Sequence, residues 1–238
     1  MATDAPVTAG PDAGAIALSV PVEAHGAVPA LLLRPPSARA CYVFAHGAGA
    51  GMRHGFMAAF AAGLAARHIA TLRFDFPFMA RGSRRPDPPS LAHATVRGAV
   101  RTAAEHCAGL PLFAGGKSFG GRMTSQAQAL APLPGVLGLV FVGFPLHPAG
   151  KPSNERAAHL DKVGLPMLFL QGTRDELAAP ELLLPVIGQL GGRATLAWFD
   201  DADHAFHVRA RSGRTDAEVL QAMLDKTSNW IGERAVAS

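Results

Sequence analysis

The chain has 238 residues, of which 49% are hydrophobic and 17% are charged, so it can build a sizeable core and is not an intrinsically disordered chain. The net charge of +4 and the sequence pI near 9.6 are mildly basic, but no basic stripe is interleaved with aromatic residues, so we expect no nucleic-acid partner. No apolar run approaches the length of a membrane span, and we expect no membrane partner either.

The N-terminal residues and the cysteines bear on location. Residues 1–14 lack the basic start and apolar centre of a secretory signal, and their Ala, Pro and Gly content predicts a flexible tail before a single domain over residues 15–238. Cys41 and Cys107 do not make a disulfide framework, and Cys41 lies in a strand-like run as a small apolar residue. We therefore expect a cytoplasmic protein.

In chain order, the predicted elements begin with two strands that we expect to pair as an antiparallel hairpin, 16–23 and 28–34. Strands and helices then alternate to the end of the chain. The further predicted strands are 41–46, 69–74, 111–115, 137–142, 166–171 and 194–199, and the predicted helices are 56–67, 91–107, 119–130, 180–190 and 215–234. This alternation predicts an α/β fold with a mostly parallel central sheet and helices on both faces.

The most informative motif is a Gly-x-Ser-x-Gly box, GKSFG at residues 116–120, between a predicted strand and a predicted helix. This is the context of a nucleophile elbow, a tight turn that holds its serine in a strained conformation and needs nearly side-chain-free neighbours two positions away on each side. The box also resembles the end of a phosphate-binding loop, but Pro111 stands where such a loop needs glycine. We therefore predict that Ser118 is a nucleophile.

A serine needs a base to remove its proton and a third group to orient that base. Asp175 follows the strand predicted at 166–171, and His204 follows the next one, so both are expected at the edge that carries Ser118. The order Ser, Asp, His is the order that a nucleophile elbow leads us to expect. We predict a catalytic triad of these residues, with Glu176 and His207 as the neighbours that could replace Asp175 and His204.

The negative oxygen of a tetrahedral intermediate needs fixed backbone N–H donors. We expect one donor from Phe119, which directly follows the serine at a helix N-terminus. We expect the other from Ala48, with Gly49 as the alternative, because the loop after the strand at 41–46 is built of Gly and Ala. The glycines of this loop lack the spacing of a dinucleotide-binding motif, so a phosphate-binding function is disfavoured.

Four motifs carry a resemblance to a known family: AHGAGAGM at 45–52, RFDFPFM at 73–79, GGKSFGGRM at 115–123 and GFPLHP at 143–148. From about Ile16 onward the chain resembles the α/β-hydrolases, and more narrowly a small bacterial group of predicted α/β-hydrolases related to dienelactone hydrolases. The resemblance implies the α/β-hydrolase fold and the triad, but hardly constrains the substrate. In this fold a lid usually inserts where residues 143–165 stand, and that segment is too short for a large cap domain.

Several basic and apolar residues lie on the loops that this fold places around the site. The candidate substrate-binding residues are Arg53, Phe78, Arg81, Arg85, Lys117 and His147, with Arg84 and Lys151 as further charges nearby. Guanidinium groups near an acyl site suit a carboxylate or phosphate on the substrate. The alternative is ordinary loop charge, with Arg81 or Arg85 paired to Asp87 or Asp75.

The sequence therefore predicts a serine hydrolase that cleaves a small ester, lactone or thioester through an acyl-enzyme, and it implies no metal or organic cofactor. The expected partner is a small-molecule substrate, an anionic one if the basic loops face the site, and the sequence does not indicate an oligomeric state. One alternative is a non-catalytic interaction domain, because eukaryotic relatives of the resembling group include a subunit of a histone-acetyltransferase complex. A peptidase or an acyltransferase with the same triad is the other alternative.

Overall fold

The computed structural model describes residues 12–236, and within them eight strands form one sheet. The strands are β1 (Ile16–Val22), β2 (Gly26–Leu33), β3 (Ala40–Ala45), β4 (Ile69–Phe74), β5 (Leu112–Lys117), β6 (Val136–Val142), β7 (Met167–Gly172) and β8 (Ala194–Phe199). Their order is β1-β2-β4-β3-β5-β6-β7-β8. The β1–β2 and β2–β4 pairs are antiparallel and the other five pairs are parallel, so the predicted hairpin and the mostly parallel sheet are confirmed.

Six α-helices connect or follow the strands within the described residues. They are α1 (Gly55–Ala65), α2 (Pro77–Ala80), α3 (Pro89–His106), α4 (Phe119–Leu130), α5 (Pro180–Leu190) and α6 (Asp216–Ala235). The one-turn helix α2 was not predicted. It begins at a proline, which fits the first helical position because proline has no N–H to leave unpaired there.

Side chains of successive residues point to opposite faces of the sheet, and this divides the core in two. In β3, Cys41 and Val43 pack with the face covered by α3, α4 and α5, whereas Tyr42 and Phe44 pack with the face covered by α1 and α6. All of β3 is buried, as expected for a strand with helices on both sides. The predicted three-layer α/β architecture is therefore confirmed.

The carboxyl ends of the parallel strands β3 to β8 meet at one edge of the sheet. Between β6 and β7, residues 143–166 form loops and a 3₁₀ helix (Glu155–Lys162), so no large cap covers this edge. The loops at the edge are therefore the part of the molecule in which to look for a site.

Only part of the predicted N-terminal tail, residues 1–14, lies within the described residues. Of the predicted tail, residues 1–11 lie outside the described residues, whereas Asp12 lies in a turn and contacts Arg73. No helix between residues 12 and 236 combines the length and the apolar composition that crossing a bilayer requires.

Candidate active site

The GKSFG box forms the junction between strand β5 and helix α4. Strand β5 ends at Lys117 and helix α4 begins at Phe119, so Ser118 alone makes the turn. Its backbone has φ of 49° and ψ of −113°, a region that non-glycine residues rarely enter and that costs on the order of 1–3 kcal/mol. The surrounding strand and helix maintain this strain, and the turn holds the Ser118 side chain at the carboxyl edge of the sheet.

Gly116 and Gly120 permit this turn through close packing against strand β3. A Cβ atom added to Gly116 would lie 2.4 Å from the Ala45 carbonyl oxygen, and one added to Gly120 would lie 2.5 Å from the same atom. These contacts are with backbone, which cannot move aside as a flexible side chain would. The sequence requirement for two small residues around the serine thus has a direct steric cause in this chain.

Ser118, His204 and Asp175 form a continuous hydrogen-bonded chain. The Ser118 Oγ atom lies 2.8 Å from His204 Nε2, and His204 Nδ1 lies 2.7 Å from Asp175 Oδ2. An ionised carboxylate can only accept hydrogen bonds, so Nδ1 carries the ring proton and Nε2 is left to accept one from the serine hydroxyl. The loops after β5, β7 and β8 supply these three side chains.

Asp175 is buried and accepts three hydrogen bonds. Besides His204, the Gln171 side-chain amide donates to Oδ2 at 2.5 Å and the Leu177 backbone N–H donates to Oδ1 at 2.8 Å. The Gln171 side-chain oxygen in turn accepts the N–H of Phe144 at 2.9 Å. These bonds fix the carboxylate and stabilise its negative charge inside the protein. The role of Gln171 was not predicted, although a polar residue ending an apolar strand was a usable signal.

The two alternative residues are placed elsewhere. His207 is exposed and its Nδ1 atom lies 2.9 Å from Asp216 Oδ2, a contact that raises the pKa of His207. Glu176 is exposed, and no hydrogen bond joins it to His204 in the described part of the chain. The geometry therefore brings His204 and Asp175, and not their neighbours, to Ser118.

The two predicted N–H donors flank Ser118. Phe119 is the first residue of α4, so its N–H has no acceptor within the helix. The loop that contains Ala48 runs beside the serine, since a Cβ atom on Gly47 would lie 3.8 Å from the Ser118 Cβ. Within residues 12–236, neither the Ala48 nor the Phe119 N–H donates to a protein acceptor, so both are available to a ligand.

A buried histidine fixes the loop that contains Ala48. His46 Nδ1 donates to the Gly47 carbonyl at 2.7 Å, while Nε2 accepts the Phe76 N–H at 3.0 Å. Burial lowers the pKa of His46, so the ring is neutral and can make both bonds at once. Asp75 secures the far end of the loop by accepting the Met52 N–H at 2.8 Å. His46 and Asp75 stand in the motifs at 45–52 and 73–79, but these hydrogen bonds were not predicted.

Lys117 is half-buried beside the serine. Its ammonium group donates to the His204 carbonyl and lies 5.1 Å from the centre of the Phe206 ring and 5.9 Å from that of Phe56. Burial lowers the pKa of Lys117 to about 8, while the charges of Asp175 and Asp203 oppose the shift. Lys117 was predicted to bind substrate, and it lines the pocket at Ser118. Its head group also joins the end of β5 to the loop that carries His204.

A pocket of about 440 Å³ opens at Ser118 and His204. The rest of its wall consists of small or apolar residues together with His54, Phe56 and Lys117. The small or apolar residues are Gly47, Ala48, Gly49, Ala50, Met57, Leu177 and Ala205. Among residues 12–236, no group of three His, Cys, Asp or Glu side chains is arranged to hold a metal ion.

Five of the six predicted substrate-binding residues do not line this pocket, and three of these five are arginines. Arg53 pairs with Asp12 at 2.6 Å, and Arg81 pairs with Asp87 at 2.6 Å, so both guanidinium groups are neutralised by carboxylates. Arg85 lies with Arg81 on the wall of a separate depression. The loops are basic in sequence, but the charges of Arg53 and Arg81 are paired with carboxylates.

Phe78 and His147 are both buried. Phe78 packs against Phe76, Phe119 and His46. It therefore belongs to the core beneath the site and does not line the pocket. His147 lines a second cavity, and its Nε2 atom has no hydrogen-bond partner among the described residues.

Comparison with known proteins agrees with this architecture. The alpha/beta hydrolase domain matches residues 38–232 of the chain. The protein therefore belongs to the alpha/beta hydrolase family, and the resemblance stated from its motifs is confirmed at that level.

Solved structures show the same fold. A dienelactone hydrolase from Anabaena variabilis has a TM-score of 0.73 and 22% identity, over 92% of this chain and 97% of its own. A lidless α/β serine hydrolase from Xanthomonas campestris has a TM-score of 0.71 and 20% identity, over 91% and 94%. The Est1E protein of Butyrivibrio proteoclasticus, solved with ferulic acid, has a TM-score of 0.71 and 15% identity, over 93% and 100%. At these identities the likeness establishes the fold alone.

Proposed function

We propose that the protein is a serine hydrolase that cleaves a small ester, lactone or thioester through an acyl-enzyme on Ser118. The observation that carries the proposal is the hydrogen-bonded chain from Ser118 through His204 to the buried carboxylate of Asp175. A strained serine, a base within hydrogen-bonding distance and a group that orients the base are the features that make a hydroxyl nucleophilic.

In the first half-reaction, the Ser118 oxygen attacks the acyl carbonyl carbon and its proton passes to His204 Nε2. Asp175 holds the ring and stabilises the positive charge that this transfer creates. The carbonyl oxygen becomes negative and accepts hydrogen bonds from the N–H groups of Ala48 and Phe119. The carbon–oxygen or carbon–sulfur bond then breaks, and His204 returns the proton to the leaving group.

In the second half-reaction, His204 removes a proton from water, and the resulting oxygen attacks the acyl carbon of the acyl-enzyme. The same two N–H groups stabilise the second tetrahedral oxyanion. The bond between the acyl carbon and the Ser118 oxygen breaks, the proton on His204 returns to the serine, and a carboxylic acid leaves.

The pocket supports a small substrate. Its volume of about 440 Å³ lies toward the lower end of the range of ligand pockets, and its walls are mostly Gly, Ala and apolar side chains. The open edge without a large cap disfavours a long lipid chain, which needs an extended apolar cover. We also propose that the protein works in the cytoplasm, a location with which the free thiols of Cys41 and Cys107 agree.

The test of the proposal combines covalent labelling with kinetics. A fluorophosphonate probe is expected to label the wild-type protein, and Ser118→Ala is expected to abolish the labelling. On the best substrate from a panel of nitrophenyl esters, thioesters and lactones, Ser118→Ala is expected to lower kcat by about 10³-fold or more. The control is Ser125→Ala on the same helix, whose hydroxyl bonds His159 and which is expected to keep its labelling.

Three results would contradict the proposal. Labelling that persists in Ser118→Ala would place the nucleophile elsewhere. A wild-type protein that neither reacts with the probe nor turns over any member of the panel would favour the non-catalytic interaction domain. Hydrolysis of peptides or transfer to an acceptor alcohol in place of ester hydrolysis would instead favour the peptidase or acyltransferase alternative.

A further inference from the structure

We propose that Arg122 and Arg156 form an anion-binding subsite beside Ser118, with His147 in its wall, and that this subsite binds a carboxylate group on the substrate. This inference rests on the proposed function, because it assigns a substrate class to the same site. It differs from the expectation based on Arg53, Arg81 and Arg85, whose positions the structure places away from the pocket.

Arg122 is the first part of the subsite. It lies on α4 one turn after Ser118, and its Nε atom is buried without a hydrogen-bond partner. No carboxylate or carbonyl of residues 12–236 accepts a hydrogen bond from its guanidinium group, which lies 5.8 Å from the Phe119 ring centre. A guanidinium nitrogen that is buried without an acceptor is costly, and a bound anion would supply the acceptor.

Arg156 is the second part. It lies in the 3₁₀ helix Glu155–Lys162, is half-buried, and makes no ion pair with a carboxylate of the described residues. Helix α4, which carries Arg122, packs against this 3₁₀ helix, and a 2.7 Å hydrogen bond between Ser125 and His159 joins the two. Burial lowers the pKa of Arg122, and the nearby charge of Arg156 lowers it further. Two like charges held together without an intervening carboxylate favour an anion between them.

His147 shares a cavity with Arg156 and forms part of its wall. This cavity has a volume of about 410 Å³ and is lined by Leu146, His147, Pro148, Lys151, Pro152, Ser153, Glu155 and Arg156. His147 Nδ1 lies 2.9 Å from the Pro148 carbonyl and therefore carries the ring proton, so the buried Nε2 atom is an acceptor and the hydrogen bonds to the anion come from the arginines. Glu155 is the carboxylate in the cavity wall, and it is exposed at the rim.

Other nearby groups do not cancel the positive charge. His159 hydrogen-bonds Ser125 at 2.7 Å, and burial together with the charges of Arg122 and His93 lowers its pKa to about 4. The His159 ring is therefore neutral at neutral pH. Burial also lowers the pKa of His93, which bonds Gln126 at 3.1 Å. The net charge of the cluster thus comes from the two arginines, with Lys151 exposed at the cavity wall.

The subsite lies next to the proposed catalytic groups. Arg122 stacks on the ring of Phe119, whose N–H is the proposed oxyanion donor. On the other side, the backbone N–H of His147 donates to the carbonyl of Leu177, and Leu177 lines the pocket at Ser118. A substrate with its acyl carbon at Ser118 can therefore extend a carboxylate toward the arginines, where planar guanidinium groups bind it through paired hydrogen bonds.

The test compares an anionic ester with a neutral ester of the same shape. The nitrophenyl monoester of adipic acid carries a free carboxylate. The nitrophenyl ester of 6-methylheptanoic acid has an isopropyl group in place of that carboxylate. In wild type we expect the adipate ester to have the higher kcat/KM. Arg156→Gln is expected to lower the ratio of kcat/KM values, adipate ester to neutral ester, by about tenfold, mainly through KM. For Arg156→Lys we expect this ratio to lie between those of wild type and Arg156→Gln. The control is Arg101→Gln, which changes an exposed arginine and is expected to leave the ratio unchanged.

A binding measurement separates this inference from the proposed function. Calorimetric titration of wild type with free adipate is expected to give saturable binding that Arg156→Gln weakens about tenfold, whether or not esters are cleaved. Ester turnover that survives Ser118→Ala would defeat the proposed function without affecting this result. A ratio of kcat/KM values that Arg156→Gln leaves within twofold of wild type would overturn the subsite. Tight binding of inorganic phosphate without binding of adipate would overturn its assignment to a carboxylate.

Discussion

Two regions at the same edge of the sheet differ in how their polar groups are paired. Around His204, the proton-transfer side chains are all paired, since Asp175 accepts three hydrogen bonds and Gln171 uses both ends of its amide. Around Arg122 and His147, buried nitrogen atoms have no partner among the described residues. The side chains of the first region are held in place without a substrate, whereas the second region includes the Arg122 Nε–H donor, which a bound anion can satisfy.

This difference assigns different tasks to the two regions. Groups that perform proton transfer must be held in position before the reaction, because reorganising them during the reaction would raise the barrier. Groups that recognise a substrate gain by being unpaired in the free protein, because each hydrogen bond they then make counts toward binding. We therefore expect substitutions in the first region to change kcat, and substitutions in the second to change KM.

Asp175→Asn, in the first region, is the substitution for which we expect the largest change in kcat. The asparagine amide can donate to His204 Nδ1, which moves the ring proton to Nε2 and prevents that atom from accepting the serine proton. We expect kcat to fall by about 10³–10⁴-fold with little change in KM, measured on the best ester substrate.

The matched control for Asp175→Asn is Glu176→Gln, which changes the exposed neighbouring carboxylate. We expect wild-type kinetics from it. If Glu176→Gln lost as much activity as Asp175→Asn, the hydrogen-bonded chain seen in the structure would not be the working one. If Asp175→Asn raised KM and left kcat unchanged, the division of tasks between the two regions would be wrong.

Lys117→Met tests a smaller effect within the first region. The folded pKa of Lys117 is about 8 and its ordinary value is 10.5, so between these values the unfolded chain binds more protons at this residue than the folded one. The free energy of unfolding contributed by Lys117 therefore rises as pH increases through this window. We expect wild type to gain stability relative to Lys117→Met between pH about 8 and pH about 10, measured by urea unfolding at both.

If the free energies of unfolding of wild type and Lys117→Met changed in parallel with pH, the result would show that Lys117 is hydrated in the folded state. Lys226→Met provides the control, since this lysine is exposed on α6 and its substitution is expected to leave the pH dependence as in wild type.

Much of the fold could be predicted because each strand is a short apolar run with its own turn signals. The predicted bounds at 69–74, 119–130, 180–190 and 194–199 coincide with β4, α4, α5 and β8. Strand β5 was predicted to end at Gly115, but it continues to Lys117, since glycines in the centre of a sheet have no side-chain pattern to read. The short helix α2 was missed for a similar reason, because four residues give no helical period.

The site was harder to predict where partners are distant in sequence. Ser118, Asp175 and His204 could be placed because each follows a strand and the strands end at one edge. The pairing of Arg81 with its sequence neighbour Asp87 was one of the weighed alternatives, and the structure shows it. For distant partners, whether an arginine is free or paired could not be predicted, because it depends on which carboxylate the fold brings near. Arg53 meets Asp12 across 41 positions of sequence, and Arg73 is buried against the same carboxylate.

Arg81→Gln gives the smallest expected effect and tests the part of the sequence interpretation that the structure changes. The Arg81 side chain is 61% exposed, and its partner Asp87 also accepts the Phe78 N–H at 2.7 Å, so the carboxylate keeps a backbone donor after the substitution. We expect a loss of stability below about 1 kcal/mol by urea unfolding, as for other pairs with an exposed member. We also expect the ratio of kcat/KM values, anionic to neutral ester, to stay within about twofold of wild type, in contrast to the tenfold fall for Arg156→Gln. A fall in that ratio for Arg81→Gln comparable with that for Arg156→Gln would mean that the loop at residues 81–87 moves to the substrate, and that basic charge at the rim, and not the unpaired arginines beside Ser118, selects anions.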